Sequence, residues 1–401
     1  MIRKRLFSYF LPNRDHVPVS GLLLSDSFRF QAKNLLLFGF LAFVYLPSLK
    51  VAAQNPWQNQ EVVNINKLPA RATSVSYPSE NLALEMNRDL SPRRRSLNGT
   101  WDFRYFKAPG EVPVNFHKRG QKNWDKIPVP SNWELHGYGK PWQRLTHQIW
   151  ENKGVNQPNI PKDYNPTGCY RKEISLPENW EGMQITLHVG AASSVLSVWV
   201  NGQYVGYSED NRLPAEFDIT PYINGRKVTI SMQVSQWGDG SYLEDQDHWR
   251  MSGITREVYL EAAPQAQIYD FAVRTDLDDD YKDAWLQIRP EIINYGDQDI
   301  TDWTLEVALF DKERNLFLDS IKTIKVQRIL NERHPVVGNR PFENLINISV
   351  KNPEKWSAEY PNLYSLVLSL KDNTGNLVEA RSTKVGFREI DINNGQLKVN
   401  G

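Results

Sequence analysis

Beyond the first fifty or so residues, apolar positions alternate with polar ones and seldom recur at helical spacing. VTISMQV sets Val228, Ile230, Met232 and Val234 against Thr229, Ser231 and Gln233. Successive side chains of a strand point to opposite faces, so a period of two predicts a strand with one face in a core. WTLEVALF groups Trp303, Leu305, Val307 and Leu309 in the same way, and LYSLVLSL groups Tyr364, Leu366, Leu368 and Leu370. LSVWVNGQYVGY carries Asn201-Gly202 between two β-rich runs. Both residues tolerate positive φ, which predicts a two-residue hairpin. Short strands divided by turn signals predict an all-β chain built of sandwiches.

The pattern changes near AAPQAQ, residues 262–267. Before it, Trp-rich strands are interrupted by long irregular loops, the longest from Gly137 to Pro166. Loops of that length inside a compact domain are usually functional. After it come regular strands and short polar turns such as NYGDQD and KDNTGN. The reading is a first sandwich over residues 54–262 and a second, of immunoglobulin-like length, over 263–385. Residues 386–401 alternate, turn at Asn394-Gly395, alternate again and stop on Asn400-Gly401. A hairpin ending on a turn dipeptide is a poor place to finish a domain, so the chain is expected to be cut short.

Composition alters this picture in three places. Forty-seven basic residues balance forty-seven acidic ones, so no basic face is implied and nucleic acid is not expected as a partner. Thirteen Trp and seventeen Tyr suit either an aromatic core or platforms for sugar rings, with core as the default. The single cysteine, Cys169, excludes a disulfide within the chain and reads as a small buried hydrophobe. At the N-terminus, Arg29 and Lys33 precede LLLFGFLAFVYL (35–46) and then VAAQ. Twelve apolar residues are too few to cross a bilayer but suit a signal peptide, cleaved after Ala53. The expected location is therefore exported, periplasmic or cell-surface.

The stretch richest in candidate chemistry is WGDGSYLEDQDHWRMSGI, residues 237–254. Asp239, Glu244, Asp245 and Asp247 are interleaved there with Trp237, Tyr242, Trp249 and Met251. A glycosidase pair of Glu244 and Asp247 would need carboxyls on opposite faces of a sugar, which sequence adjacency does not supply. A calcium loop of the EF-hand type would need a glycine at its sixth position, and it is missing. His136, His147 and His248 have no ligand-type spacing, and Trp133 and Trp142 are read as packing residues before sugar platforms.

Several segments resemble, in order, the N-terminal part of the large bacterial β-galactosidases of glycoside hydrolase family two. They are RSLNGTWDFRYF (95–106), VPSNWELHGYG (129–139), YNPTGCYRKE (164–173), NGQYVGYSEDNRLPAEFDIT (201–220), the acidic stretch, WSAEYPNLYSL (356–366) and VGFREI with its hairpin. The resemblance implies a jelly-roll, sugar-binding-like domain, an immunoglobulin-like sandwich, and a hairpin leading to a catalytic TIM barrel absent from this chain. That barrel would carry both catalytic glutamates and the magnesium ligands, so no catalytic residue is expected here. Asp239 matches an acid that helps bind sodium and touches galactosyl hydroxyls; Gly238 and Gly240 are expected to allow a tight turn exposing it. Asn156 matches an asparagine bonded to the galactosyl group, with Asn152 and Asn159 as alternative matches. The other acids are expected in structural contacts with Arg250 or Arg256, and Trp237, Trp249 and Met251 at the base of the loop. The implied activity is hydrolysis of terminal β-galactosides in the complete enzyme. A non-catalytic carbohydrate-binding protein and one part of a split enzyme are the alternatives. The family's tetramers make a homo-oligomer plausible.

Overall fold

The computed structural model describes residues 55–118, 120, 122–142, 159–244, 249–330 and 345–401. The chain is nearly all β there, with two short α-helices, Glu80–Leu84 and Val326–Leu330, among the described residues. In the first sandwich a seven-stranded antiparallel sheet runs Asn64–Ile65, Gln203–Ser208, Val195–Val200, Lys227–Ser235, Thr167–Ser175, Gly99–Phe106 and Asp125–Val129. A four-stranded sheet runs Ala215–Asp218, Gln184–Val189, Val258–Ala263 and Arg94–Ser96. Their inner faces share one core, with Trp101, Phe103, Tyr170, Val198, Ile230 and Met232 meeting Leu187, Val189, Phe217 and Leu260. A three-stranded sheet joins Ser131–Asn132, Gly253–Ile254 and Ala192–Ser193.

The hairpin turn forms where the sequence places it. Asn201 and Gly202 have φ of 50° and 80°, and Val200 pairs with Gln203. Asn201 also accepts the Thr229 N–H at 3.0 Å and donates to the Tyr222 carbonyl at 2.9 Å. The polar face of Lys227–Ser235 is not solvated, however: Thr229 and Ser231 are buried. Phe116 and His117 pack on Trp199 with ring centroids 5.1 and 5.3 Å away, and Trp199 lies directly opposite Ser231.

The second sandwich pairs a three-stranded sheet, Ala266–Leu277, Ala284–Asn294 and Ile346–Val350, with a four-stranded one, Lys322–Lys325, Thr304–Phe310, Tyr364–Lys371 and Leu377–Val385. Leu286, Ile288 and Ile348 share a core with Leu305, Val307, Leu366 and Leu368. The outer face of the four-stranded sheet is buried too, because the segment between Asn64–Ile65 and Arg94–Ser96 of the first sandwich crosses it. Tyr77 bridges to Ala380, and Val75, Tyr77 and Ala83 cluster with Val367 and Ala380.

That crossing segment carries a buried ion network. Arg71 pairs with Glu216 and Glu261 of the first sandwich, each at 2.7 Å. Glu261 accepts the Ser76 N–H at 2.8 Å and pairs with Arg381 of the second sandwich at 3.2 Å. Arg381 also pairs with Glu379 at 2.9 Å and donates to Ser74, while Glu379 accepts the Ile268 N–H at 2.7 Å. Burial alone would raise the Glu216 pKa, but the His188 hydrogen bond and the Arg71 charge lower it from 4.5 to about 2. Burial likewise opposes ionisation of Glu261, and the charges of Arg381 and Arg71 hold its carboxyl below the ordinary value.

Removing one partner of a buried pair strands the others, so Arg381→Ala should lower the unfolding free energy by about 3–5 kcal/mol in urea titrations. A carboxyl with a depressed folded pKa stabilises the fold above its ordinary pKa and loses that contribution as pH falls through the folded one. Between pH 5 and 2 the chain should therefore lose on the order of 3 kcal/mol through Glu216. Glu216→Gln should flatten that part of the acid unfolding profile.

Candidate functional site

The acidic stretch leaves the strand Lys227–Ser235 at the edge of the first sandwich. Its first turn is pinned by Asn165 of the NPTG segment, which is buried. The Asn165 amide donates to the Trp237 carbonyl at 2.9 Å and accepts the Trp237 N–H at 2.9 Å, closing a two-point clamp. Trp237 is buried with Ile160, against Trp57, Trp142 and Tyr242, and Arg250 lies over its ring, 5.3 Å from the centroid. A 3-10 turn follows over Asp239–Tyr242, with the Ser241 hydroxyl accepting the Gly238 N–H at 3.1 Å.

Asp239 is not exposed on this turn; it is only 7% accessible. Gly238 has an extended φ of −132°, so it is not there for a left-handed turn. A Cβ on Gly238 would stand 2.5 Å from Val195 Cγ2, and close approach is what requires the glycine. The Asp239 side chain meets Glu209, whose carboxyl hydrogen-bonds to it. Burial is the largest influence on Glu209; with the adjoining Asp239 charge it outweighs the hydroxyl donated by Tyr207 and raises the pKa to about 8. Burial and the adjoining Asp239 charge thus favour a proton on Glu209. Asp239 Oδ2 is buried, and no N–H or hydroxyl of the described residues donates to it.

Glu244 lies further along. Its Oε2 accepts the Ser194 hydroxyl at 2.9 Å. Burial raises its pKa, against that hydrogen bond and the Arg250 charge, so Arg250 is its electrostatic neighbour as the sequence suggested. A cleft of about 170 Å³ opens on this side, lined in part by Asn132, Ser194, Arg212, Glu244, Trp249 and Arg250. Asp245, Asp247 and His248 lie outside the described residues. Trp249 departs from expectation: it is 54% exposed at the lip of this cleft and does not pack the base of the loop.

The long irregular loop returns to the same place. Asn152, Asn156 and His147 lie outside the described residues, but Asn159 and Ile160 re-emerge against the acidic turn. The Tyr242 hydroxyl donates to the Asn159 carbonyl at 2.6 Å, and Gln58 Nε2 to the Ile160 carbonyl at 3.2 Å. Trp133 is a buried packing residue against Phe103, His136 is exposed, and Cys169 is buried with its thiol pKa raised by desolvation. Among the described residues no group of three or more His, Cys, Asp or Glu is arranged to hold a metal ion. Asp239 Oδ2 suits a hard cation as a single oxygen donor, and further donors would have to come from elsewhere.

Residues 94–264 match the sugar binding domain of glycosyl hydrolases family 2, and residues 266–388 match a second domain of the same family. The chain belongs to glycosyl hydrolase family 2. It is 40% identical over 349 residues to a beta-galactosidase of Priestia megaterium, an alignment covering 86% of this chain and 33% of that protein. To a beta-galactosidase of Vibrio vulnificus it is 38% identical over 355 residues, covering 88% and 33%. This family 2 chain thus spans about a third of the length of these relatives. Among solved structures, a beta-glucuronidase of Bacteroides uniformis superposes with a TM-score of 0.58 at 21% identity, covering 77% of this chain and 34% of the other. A beta-glycosidase of Bacteroides vulgatus gives 0.57 at 20% identity, covering 77% and 36%. At such identities the likeness shows the fold.

Sequence reasoning quoted Asn165 and Glu209 only as parts of longer stretches and gave them no role, and it did not single out Ser194 at all. The Asn-Pro dipeptide before a strand was the available signal for Asn165. Nothing local announces that Glu209, thirty residues upstream, faces Asp239. Asn165→Ala would leave the Trp237 N–H and carbonyl unpaired in the interior. Urea titrations should show a loss of about 2–4 kcal/mol, the cost of two stranded backbone groups.

Proposed function

We propose that this chain forms the scaffold and sugar-pocket rim of a β-galactosidase that hydrolyses terminal β-D-galactosides with retention of configuration. The observation that carries the reading is the buried Asp239 carboxyl, whose Oδ2 meets no N–H or hydroxyl donor among the described residues, beside Glu209 in a chain 38–40% identical to proteins named beta-galactosidase. An oxygen left without a donor in the interior costs stability unless a ligand completes it. Asp239 would hold a sodium ion at the galactosyl pocket and accept from sugar hydroxyls; the ion would balance the buried carboxylate. Asn156 would hydrogen-bond the galactosyl group from the loop that returns at Asn159. The chemistry would belong to a TIM barrel outside these 401 residues, with magnesium there. One glutamate attacks the anomeric carbon, and the second protonates the leaving oxygen and then activates water.

The cleft beside the acidic turn, which Glu244 and Trp249 line and Asp239 does not, is small. At about 170 Å³ it falls below the roughly 300–1,000 Å³ of sites that enclose a ligand alone. A larger cavity of about 510 Å³ lies elsewhere, walled by Leu176, Met183, Ile185 and Ile223. Its tryptophan, Trp180, is buried and offers no face to a sugar. The reading also covers a split enzyme, in which a separate polypeptide brings the barrel, and self-association of the assembled enzyme. Export by the N-terminal segment is part of the proposal.

The purified 401-residue chain should not hydrolyse a nitrophenyl β-galactoside, and calorimetry with galactose or lactose should show no binding tighter than the millimolar range. Turnover abolished by changing a glutamate of this chain, or micromolar sugar binding, would replace the proposal.

A further inference from the structure

The cavity of about 510 Å³ lies at the end of the first sandwich away from the acidic turn. Arg226 lines it and precedes the strand Lys227–Ser235, whereas the acidic stretch follows that strand. Nine strand residues put roughly 30 Å between the two ends. The walls come from both sheets. Leu176 extends the strand Thr167–Ser175 of the seven-stranded sheet, and Ile185 lies in Gln184–Val189 of the four-stranded one. Trp180 and Met183, from the segment joining those strands, and Ile223 complete the apolar wall. Leu176, Trp180 and Ile185 belong to the buried core, and Met183 and Ile223 pack against it. The cavity is a gap at the end of that core.

Polar groups of the wall are already bonded within the chain. The Thr220 hydroxyl accepts the Ile185 N–H at 2.8 Å and donates to the Ile185 carbonyl at 3.5 Å. Arg226 donates from Nε to the Leu176 carbonyl at 3.2 Å and pairs with Glu178. The Trp180 indole donates to the Pro92 carbonyl at 2.9 Å. Gln265, which is exposed, supplies the side-chain amide of the lining. Charge at the rim is net negative, because Glu178 and Glu181 stand against Arg226. A ligand here gains by covering aliphatic and aromatic surface, and an anionic one would meet two carboxylates.

We propose that this cavity binds a neutral apolar small molecule, with an aromatic or aliphatic body and at most one uncharged polar group at the Gln265 end. It is a site separate from the sugar pocket and independent of the galactosidase reading. The volume lies within the roughly 300–1,000 Å³ of sites that enclose such ligands. Apolar cavities of about 150 Å³ already stay dry and take up apolar guests, because water finds too few partners in them. A sugar is a poor occupant, since Trp180 is buried and the wall donors are engaged. A peptide would bury its own N–H and carbonyl groups against walls whose polar groups are satisfied, which costs stability.

Two related fluorescent probes test this: phenylnaphthylamine, which is neutral with one N–H, and anilinonaphthalenesulfonate, the same ring system carrying a sulfonate. Phenylnaphthylamine should bind the 401-residue chain with a micromolar dissociation constant, one molecule per chain. Ile223→Trp and, separately, Met183→Trp fill the cavity and should weaken that binding at least tenfold, with a thermal midpoint lowered by no more than about 2 °C. Unaltered binding in both filled variants would overturn the proposal. The sulfonate should bind the unaltered chain several-fold more weakly than the neutral probe. Glu181→Lys, at an exposed position, makes the rim net positive and should close most of that gap without changing affinity for the neutral probe. Equal affinity of the unaltered chain for both probes would contradict a neutral ligand. Galactose should leave the bound probe in place, and its displacement would reassign the cavity to a sugar. Probe binding that weakens as protein concentration rises would assign it to a second copy of the chain.

Discussion

Arg71 and Arg381 enter the interior in company with Glu216, Glu261 and Glu379, and on this exchange of charges the placement of the two sandwiches depends. A lone guanidinium or carboxylate would not stay ionised at such depth, since taking one charge out of water costs several kcal/mol after relaxation. Glu261 of the first sandwich is compensated by Arg381 of the second and by Arg71 of the crossing segment, which also pairs with Glu216. Glu261 is the hinge pin, bonded to Arg71, Ser76 and Arg381, one partner from the second sandwich and two from the crossing segment. Apolar contacts tolerate sliding by fractions of an ångström, whereas paired and hydrogen-bonded charges do not. The network therefore fixes geometry more than it adds stability. It sets the acidic turn of the first sandwich in a defined relation to the hairpin that leaves the second.

The candidate site follows the same logic on a smaller scale. Asn165 holds the start of the turn by both polar atoms of its amide. Glu209, its pKa raised by burial and by the Asp239 charge, adjoins Asp239, whose Oδ2 is buried with no N–H or hydroxyl donor among the described residues. Two carboxyls in contact and one orphaned oxygen cost stability, a pattern expected where the fold has been shaped for a ligand.

The sequence made the strands legible because period-two alternation follows directly from strand geometry. Val228 to Val234 and Tyr364 to Leu370 could be assigned to faces without any knowledge of neighbours. It concealed that both faces of these strands are covered. Ser231 and Ser369 are polar yet buried, since small hydroxyl residues suit a face onto which another segment packs. It also concealed the reach of residues 71–86, because nothing local shows that Tyr77 pairs with Ala380 three hundred positions away. At the site, Asp239 was legible through the family resemblance. Its inward direction was not, because the glycine before it suggested a turn when the constraint was contact with Val195. Glu209 was invisible for a third reason: a raised carboxyl pKa is made by burial and by a second acid across the fold, and neither is written in nearby residues.

Asp239 is the point where this chain would complete a pocket made mostly by other polypeptide. The most direct measurement is the sodium dependence of KM for a nitrophenyl β-galactoside, with and without Asp239→Asn, in a chimera in which residues 55–401 replace the matching third of the Priestia megaterium relative. The account predicts that sodium lowers KM several-fold with Asp239 present, and that the amide variant shows a raised KM indifferent to sodium. An unchanged KM and an equal sodium response in the two proteins would contradict it.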